Sequence, residues 1–312
     1  MAEINLIKVD GKPIQKLIEV ISKGIGTIYK PKAIRKEADA EAYKIEIIER
    51  AKSKALSDGK FTEAETYDRI QERLIHQETL RQKNIDDVSQ IASEQLGQEQ
   101  TVSEEPVDKD WTSRFFSIVE DVSDEEMQKL WGRVLAGEVK QPKSYSLRTL
   151  ELIKNLTKQE ANTFMKIANF SISTINDSFI FKGNGDELSK DFNISYGDIA
   201  LLVEIGLIQP GDFVNYQFPQ TPTPVKTAFT SGKVIIVVDK KENVPTIQFP
   251  INLFTKAGTE LLKLVSPNPP FEYITNFAKS IKRENVDVKH GAVLEVFPTY
   301  IQHTNPLLDF PI

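Results

Sequence analysis

The sequence contains no cysteine, and histidine occurs at only three of its 312 positions. The missing thiols exclude disulfides, zinc–thiolate centres and cysteine nucleophiles, and so few imidazoles give little basis for a histidine-rich metal site. No stretch approaches the roughly 20 apolar residues that cross a bilayer. The opening residues, MAEINLIKVDGK, lack the basic and apolar regions of a signal peptide. We therefore expect a cytoplasmic protein of a bacterium-like cell, with a peripheral position at the inner membrane as the alternative.

Catalytic motifs are missing as well. The nearest match to a phosphate-binding loop, KGNGD at 182–186, is not followed by Gly-Lys-Ser/Thr and is typical of a turn. No GxSxG, HExxH or paired-carboxylate motif is present, and the acids of DVSDEE at 121–126 are explained by their position at a helix start. His76, His290 and His303 have no second ligand nearby in sequence. We predict a protein that is not an enzyme, with no catalytic residues, cofactor or metal.

The chain is long and has the balanced composition of a folded protein. Its hydrophobic content of 40% and charged content of 27% are typical of a soluble globular protein. A chain of 312 residues exceeds one small core and predicts two or three domains. A net charge of −6 disfavours a general affinity for nucleic acid or anionic lipid, although a local basic patch is compatible with it.

An amphipathic helix is predicted over residues 14–30. Apolar side chains recur there at steps of three and four residues, which places them on one helical face. They form a candidate interaction surface of Ile14, Leu17, Ile18, Ile21, Ile25 and Ile28. Two interpretations remain open: a helix docked on another helix, which we favour, and a helix lying on a membrane surface.

Long charged helices are predicted over the remainder of 1–96, interrupted by SDG at 57–59. Their apolar stripes are narrow, which favours a helical hairpin or a coiled-coil-like assembly. The segment 97–110, GQEQTVSEEPVDKD, is acidic and almost free of apolar residues, and is typical of a linker. Since a mobile linker weakens docking onto the rest of the chain, we expect the N-terminal helices to assemble with another copy, giving a homo-oligomer.

A compact helical core is predicted over residues 111–157, around the sequence DEEMQKLWGRVLAGEVKQPKSYSLRTLELIKNLTKQEANTF at 124–164. Ser123 with Glu126, and Thr157 with Glu160, fit capping boxes that begin helices, and Gly137 fits a helix end. The broad apolar stripes between these caps predict packing rather than a site. The predicted core residues are Leu130, Trp131, Leu135, Leu150, Leu156 and Phe164.

Residues 158–265 predict a winged-helix-like module, with a β-hairpin formed by VIIVVD and VPTIQF. Its candidate recognition helix, 195–205, would begin at a Ser195–Asp198 cap and would lie in the major groove if the module read DNA. That helix contains Asp198 and Glu204 but no Lys, Arg, Asn or Gln, the residues that contact phosphates and bases. We therefore favour a structural or protein-binding module and expect no specific DNA binding.

The predicted fold class is mainly α with a smaller α+β part. It combines an N-terminal long helical hairpin, a central helical bundle and the winged-helix-like module with its β-hairpin. A C-terminal helix and strand over 266–312 complete the chain.

The central motif also resembles a known group of proteins. LWGRVLAGE followed by SLRTLELIKNLTKQEANTF is similar to the motif of Abi-alpha-type abortive-infection proteins, and more similar to DUF2806, a bacterial domain family of unknown function. The resemblance covers 14–265, includes the KEADAEA run that precedes the linker, and names no catalytic residue. The matching positions are Leu130, Trp131, Leu135, Ala136, Leu150, Leu156, Thr157, Glu160 and Ala161.

The resemblance implies a role in phage defence. We expect a non-enzymatic antiviral, abortive-infection-like or stress-response protein that acts through protein–protein assembly, with a phage-derived protein as one kind of partner. Two alternatives remain: a winged-helix transcriptional regulator, and a membrane-associated effector that uses residues 14–30.

Overall fold

The structure is a computed structural model that describes residues 11–26, 39–59, 61–99, 101–183, 187–211, 214–296 and 300–311. Its contacts divide the chain into two compact units, Met1–Leu150 and Glu151–Ile312. Helices build the first unit, and a nine-stranded antiparallel sheet with helices builds the second. This confirms the predicted fold class, mainly α with a smaller part that mixes helices and strands.

The first unit is a helical bundle extended by a hairpin. Its helices are α1 Lys12–Ile25, α2 Asp39–Ser57, α3 Phe61–Leu96, α4 Lys109–Val119 and α5 Glu125–Lys140, and α6 Leu147–Asn155 contains the boundary between the units. The predicted break at SDG separates α2 from α3, which pack against each other. Small buried residues, Ala55 and Ala64, occur on the two helices, and Lys52 pairs with Asp68 at 2.6 Å. The two helices therefore form the predicted hairpin.

The second half of α3 packs against α5. The α3 side chains at steps of three and four residues are buried there, namely Ile85, Val88, Ala92 and Leu96. One 36-residue helix thus carries both the hairpin and one wall of the bundle core.

The ends of α5 differ from those predicted. The N-cap is Asp124, whose side chain accepts a hydrogen bond from the Met127 N–H, and not its neighbour Ser123. The helix also continues through Gly137 to Lys140. Gly137 lies beside Tyr145, so its missing side chain makes room for that ring rather than ending the helix.

The second unit surrounds its sheet with helices α7 Lys158–Ala168, α8 Glu187–Phe192, α9 Tyr196–Glu204, α10 Lys256–Leu262 and α11 Phe271–Ile281. Its strands are β1 Ser171–Ser173, β2 Ser178–Phe181, β3 Asn215–Phe218, β4 Val225–Ser231, β5 Val234–Lys240, β6 Ile247–Leu253, β7 Val286–Val296, β8 Ile301–His303 and β9 Leu308–Asp309. The strand order is β3-β6-β2-β1-β4-β5-β7-β8, with β9 also paired to β7. The predicted C-terminal helix and strand are α11 and β7.

The strand pairing corrects the predicted hairpin. VIIVVD and VPTIQF do form strands, β5 and β6, but β5 pairs with β4 and β7, whereas β6 pairs with β2 and β3. The hairpin is β4–β5, closed by a tight turn in which Ser231 pairs with Val234. Gly232 in this turn has a φ of 57°, a left-handed conformation that glycine adopts without steric cost.

Aromatic side chains fill the space between α11 and the sheet. The Phe277 ring lies 5.3 Å from the rings of Phe229 and Phe249 and 5.5 Å from that of Phe181. The buried Tyr273 hydroxyl accepts a hydrogen bond of 2.7 Å from the Phe181 N–H, and burial raises the pKa of this tyrosine. Such ring pairs add about 0.5–1.5 kcal/mol each beyond the apolar area they bury, so α11 is firmly held.

The packing of α3 on α5 yields a prediction about Gly132. A Cβ atom at this position would lie 2.5 Å from Ile91 Cγ2 and 3.2 Å from the Val88 carbonyl oxygen. Overpacking of this kind costs about 1–3 kcal/mol, which exceeds the roughly 1 kcal/mol that alanine gains in helix propensity. We expect Gly132→Ala to lower the free energy of unfolding by on the order of 1 kcal/mol, measured by urea denaturation.

The control is Ser113→Ala, which changes an exposed position of α4 in the same unit. It should alter stability by less than about 0.5 kcal/mol. A Gly132→Ala protein as stable as the parent would show that the two helices tolerate a wider separation.

Candidate interaction surfaces

The apolar face of α1 is largely covered within the first unit, where α1 packs against α3, α4 and α5. Of the predicted surface residues, Ile14, Leu17 and Ile21 are buried, Ile18 and Ile25 are partly exposed, and Ile28 lies outside the described residues. Leu17 and Ile21 retain only 2% and 1% of their surface. In this structure α1 is therefore docked on other helices.

An acidic segment crosses α1. We call residues 101–107 the strap; they belong to the stretch that the sequence assigns to a linker. The Lys16 ammonium on α1 donates hydrogen bonds of 2.6 Å to the Ser103 carbonyl and 2.7 Å to the Glu105 carbonyl. The Ser103 N–H in turn donates to the carbonyl of Lys140 at the end of α5, at 3.0 Å. The strap is thus hydrogen-bonded to two helices of the first unit, and its Val107 side chain is buried.

The environment of Lys16 shifts the pKa of its ammonium group. Partial burial lowers the pKa of Lys16, and this effect outweighs the opposing attraction of Glu104 and Glu19. When the pKa of a lysine is lower in the folded chain than in the unfolded chain, the charged form of that lysine reduces the stability of the folded chain. The free energy of unfolding should therefore rise as the pH increases from the lowered pKa of Lys16 in the folded chain to its ordinary pKa in the unfolded chain. The charged form of Lys16 donates to the strap carbonyls.

A cleft of about 360 Å³ lies between α1 and the strap and is lined in part by Lys12, Lys16 and Lys23. These cations already have partners. Lys12 lies 3.2 Å from Glu104, Lys23 pairs with Glu19, and Lys16 is bonded to the strap carbonyls. Because the positive charges are compensated, the cleft is not arranged as a site for an anion.

Two buried amides hold the connection between α4 and α5. The Asn84 amide on α3 donates to the Glu120 carbonyl at 2.8 Å, and the Gln128 amide on α5 donates to the Val122 carbonyl at 2.9 Å. The Gln128 amide also lies 3.3 Å from the Asn84 side-chain oxygen. We call this pair the amide clamp. Sequence reasoning missed it, although Gln128 lies three residues before Trp131 and hence on the core-facing side of the helix.

The predicted core residues are placed in both units. In the first, Trp131, Leu135 and Leu150 are fully buried and Leu130 is partly exposed. The Trp131 ring lies edge-on to Phe115, with ring centroids 5.5 Å apart. In the second, Phe164 is buried and Leu156 is partly exposed. Four of the six predicted core residues therefore belong to the first unit and two to the second.

The α9 helix has the predicted cap. Ser195 and Asp198 form a capping box, and the Asp198 carboxylate also accepts a 2.8 Å hydrogen bond from Lys166 on α7. Partial burial acts to raise the pKa of Asp198, but the hydrogen bonds from Lys166 and Ser195 outweigh it and leave the pKa below its ordinary value. The one acid in the first turn of α9 is thus fixed as a structural carboxylate.

The rest of α9 is mostly apolar and partly exposed. Within YGDIALLVE only Leu202 is buried, and the Tyr196 side chain is 79% exposed. The outward side, which we call the α9 face, comprises Tyr196, Gly197 and Ala200, which are exposed, and Ile199 and Val203, which are partly exposed. The exposed Glu204 lies beside Ala200, four residues further along the helix. Exposed apolar faces of this kind are typical of contact surfaces.

Across the described ranges, no group of three or more His, Asp or Glu side chains is arranged to hold a metal ion. None of the helices whose residues are described is long and apolar enough to cross a bilayer. His76 is exposed on α3, while the His290 ring packs 4.7 Å from that of Phe310.

The chain matches a known protein family. A family model described as "Protein of unknown function (DUF2806)" matches residues 68–278. The match begins inside α3 and ends inside α11, so it includes the Trp131 motif and α9 but leaves out α1. No curated protein and no solved structure matches the chain.

The Lys16 hydrogen bonds yield a second prediction. Lys16→Met keeps the length of the side chain but removes the ammonium that donates to the strap carbonyls. Because local opening of the strap then becomes easier, we expect the Ser103 amide proton to exchange about tenfold faster, equivalent to about 1.4 kcal/mol of local opening. Hydrogen exchange followed by NMR measures this directly.

Lys23→Met is the matched control, since among the described residues Lys23 pairs with Glu19 on its own helix and not with the strap. It should leave the Ser103 exchange rate unchanged. Equal rates in all three proteins would show that Lys16 does not restrain the strap.

Proposed function

The chain belongs to the DUF2806 family of proteins of unknown function, and from that premise we propose that it is a non-enzymatic antiviral protein that acts through contacts with other proteins. The observation that carries this proposal is the α9 face. A helix with one buried residue among nine leaves apolar surface in water, and covering that surface with a partner is favourable by about 25 cal/mol per Å².

The antiviral context rests on the Trp131 motif. Leu130, Trp131, Leu135 and Ala136 resemble the motif of abortive-infection proteins and lie together on α5. The motif supplies a packed core, not reactive groups, which agrees with a protein that binds rather than catalyses. We therefore propose a role in phage defence, with a protein as the partner.

A DNA-binding role has less support from α9. The helix presents Tyr196, Ile199 and Val203 where a reader of bases would present Arg, Asn or Gln. It also has no lysine or arginine with which to contact phosphates. The surface fits an apolar partner better than a polyanion.

A membrane role has less support from α1. Lying on a bilayer would require Leu17 and Ile21 to leave the bundle core, at a cost of roughly 1.5–3 kcal/mol for each buried side chain before any contact with lipid. The charged cleft beside α1 would have to open as well. Contact between proteins through α9 requires neither change.

The proposal predicts protection of cells. At least one phage of a diverse panel should form at least tenfold fewer plaques on a susceptible bacterial strain that expresses the chain than on the same strain without it. Ala200→Asp, which places a charge at the centre of the α9 face, should abolish the protection. Ser113→Asp adds the same charge at an exposed position of α4 and should protect like the parent protein. Absence of protection across the panel, with protein present at normal levels, contradicts the antiviral role.

A separate prediction concerns DNA. At physiological salt the purified protein should bind duplexes no more tightly than the roughly 10⁻⁴–10⁻⁶ M typical of non-specific binding. Fluorescence anisotropy on a set of random-sequence duplexes measures this. Tight, sequence-dependent binding that is lost on changing residues 195–205 would instead establish the regulator.

A further inference from the structure

We infer that the strap controls a local opening of the first unit. While the strap is closed, α1 stays docked on the other helices, and when the strap opens, α1 leaves them as one helix. The inference goes beyond the proposed function, because it concerns α1 and makes no use of the α9 face.

Two lysines attach the strap to α1. Lys16 donates hydrogen bonds to the Ser103 and Glu105 carbonyls. The Lys12 ammonium, one helical turn earlier on the same side of α1, lies 3.2 Å from the Glu104 carboxylate. Because the Lys16 bonds go to the backbone, they fix the path of the strap over α1 and not merely one of its side chains.

The strap is also attached to the end of α5. The Ser103 N–H donates to the Lys140 carbonyl at 3.0 Å, and the Lys143 ammonium pairs with the Glu105 carboxylate. The loop that contains Lys143 is held by Glu138 of α5, whose buried carboxylate accepts a 2.6 Å hydrogen bond from the Lys143 N–H. The strap therefore connects α1 to a part of the unit that α5 itself holds in place.

The other helices of the bundle contact one another without α1. Gly132 brings α5 against α3, the amide clamp attaches the connection between α4 and α5 to α3, and Trp131 of α5 packs edge-on to Phe115 of α4. The family match also begins at residue 68, so the pattern that defines the family includes these helices and leaves out α1. A bundle with its own closed core can lose one helix by local opening, at a lower free energy than complete unfolding requires.

Gly26 is the point about which α1 can turn. It follows the helix with a left-handed φ of 72°, and a Cβ atom placed there would meet no atom of the described residues within 4 Å. Hinges are often residues at the end of an element that absorb the change in φ and ψ. Since glycine adopts both signs of φ readily, α1 can change direction here without displacing a neighbour.

Opening uncovers apolar surface on both sides of the contact. Leu17 and Ile21 of α1 are buried, and Gly24 leaves no room for a Cβ atom beside the Phe116 ring of α4. These groups meet water when α1 leaves the bundle. Apolar surface of this kind is suited to contact with another protein, so the closed strap keeps that surface unavailable.

The absence of cysteine from the chain allows a direct test, because one introduced thiol reports on one position. Leu17→Cys places the thiol on the buried side of α1, and Leu135→Cys, the matched control, places it in the core of α5. Labelling of each full-length protein by N-ethylmaleimide, followed by mass spectrometry, measures how often the position opens. We expect Leu17→Cys to react at least about tenfold faster than Leu135→Cys and with a weaker dependence on urea, because local opening exposes less surface than complete unfolding.

A second comparison tests the strap. Adding Lys16→Met to Leu17→Cys should speed the labelling about tenfold, since methionine cannot donate to the two strap carbonyls. Adding Lys23→Met should leave the rate unchanged, since among the described residues Lys23 pairs with Glu19 on its own helix. Ile21→Cys, one turn further along the buried side of α1, repeats both measurements if Leu17→Cys does not fold.

Two results overturn the inference. A thiol on α1 that reacts no faster than the thiol of Leu135→Cys would show that α1 opens only when the whole unit unfolds. Labelling of α1 that Lys16→Met leaves unchanged would show that the opening of α1 does not depend on the strap.

Discussion

The first unit depends on how closely α3 can lie against α5. At Gly132 the two helices meet with no room for a methyl group, and the side chain of Ile91 occupies the space. This close packing of α3 on α5 buries one side of α3 over several turns and fixes the orientation of α3 in the bundle. The amide clamp then attaches the α4–α5 connection to α3, and α1 packs on α3, α4 and α5. The hairpin with α2 is carried by the same helix.

The second unit is held together differently. The rings around Phe277 join its sheet to α11. On α9, Tyr196 is exposed and Leu202 is buried, while Ile199, Leu201 and Val203 are partly exposed.

Local features of this chain could be predicted from sequence, and distant pairings could not. The capping boxes of Thr157 and Ser195 join residues three positions apart, so their pattern is visible in the sequence and both are present. The pairing of β5 with β7 joins Val234 to Ala292, which no local pattern encodes. The partner of β5 on its other side, VKTAFTS, has too few apolar residues to stand out as a strand. Lys16, Asn84 and Gln128 were missed because polar residues on helices usually face water, and only tertiary contacts bury them.

The amide clamp and the strap both connect parts of the first unit, but the clamp uses neutral hydrogen bonds and the strap includes ion pairs. The clamp consists of neutral amides that donate to neutral carbonyls, whose strength does not depend on dissolved ions. The strap includes exposed ion pairs, Lys12 with Glu104 and Lys143 with Glu105. Added salt shortens the Debye length from about 10 Å at 0.1 M to about 3 Å at 1 M and weakens such pairs. Rising ionic strength therefore loosens the segment over α1 while the turn between α4 and α5 stays closed.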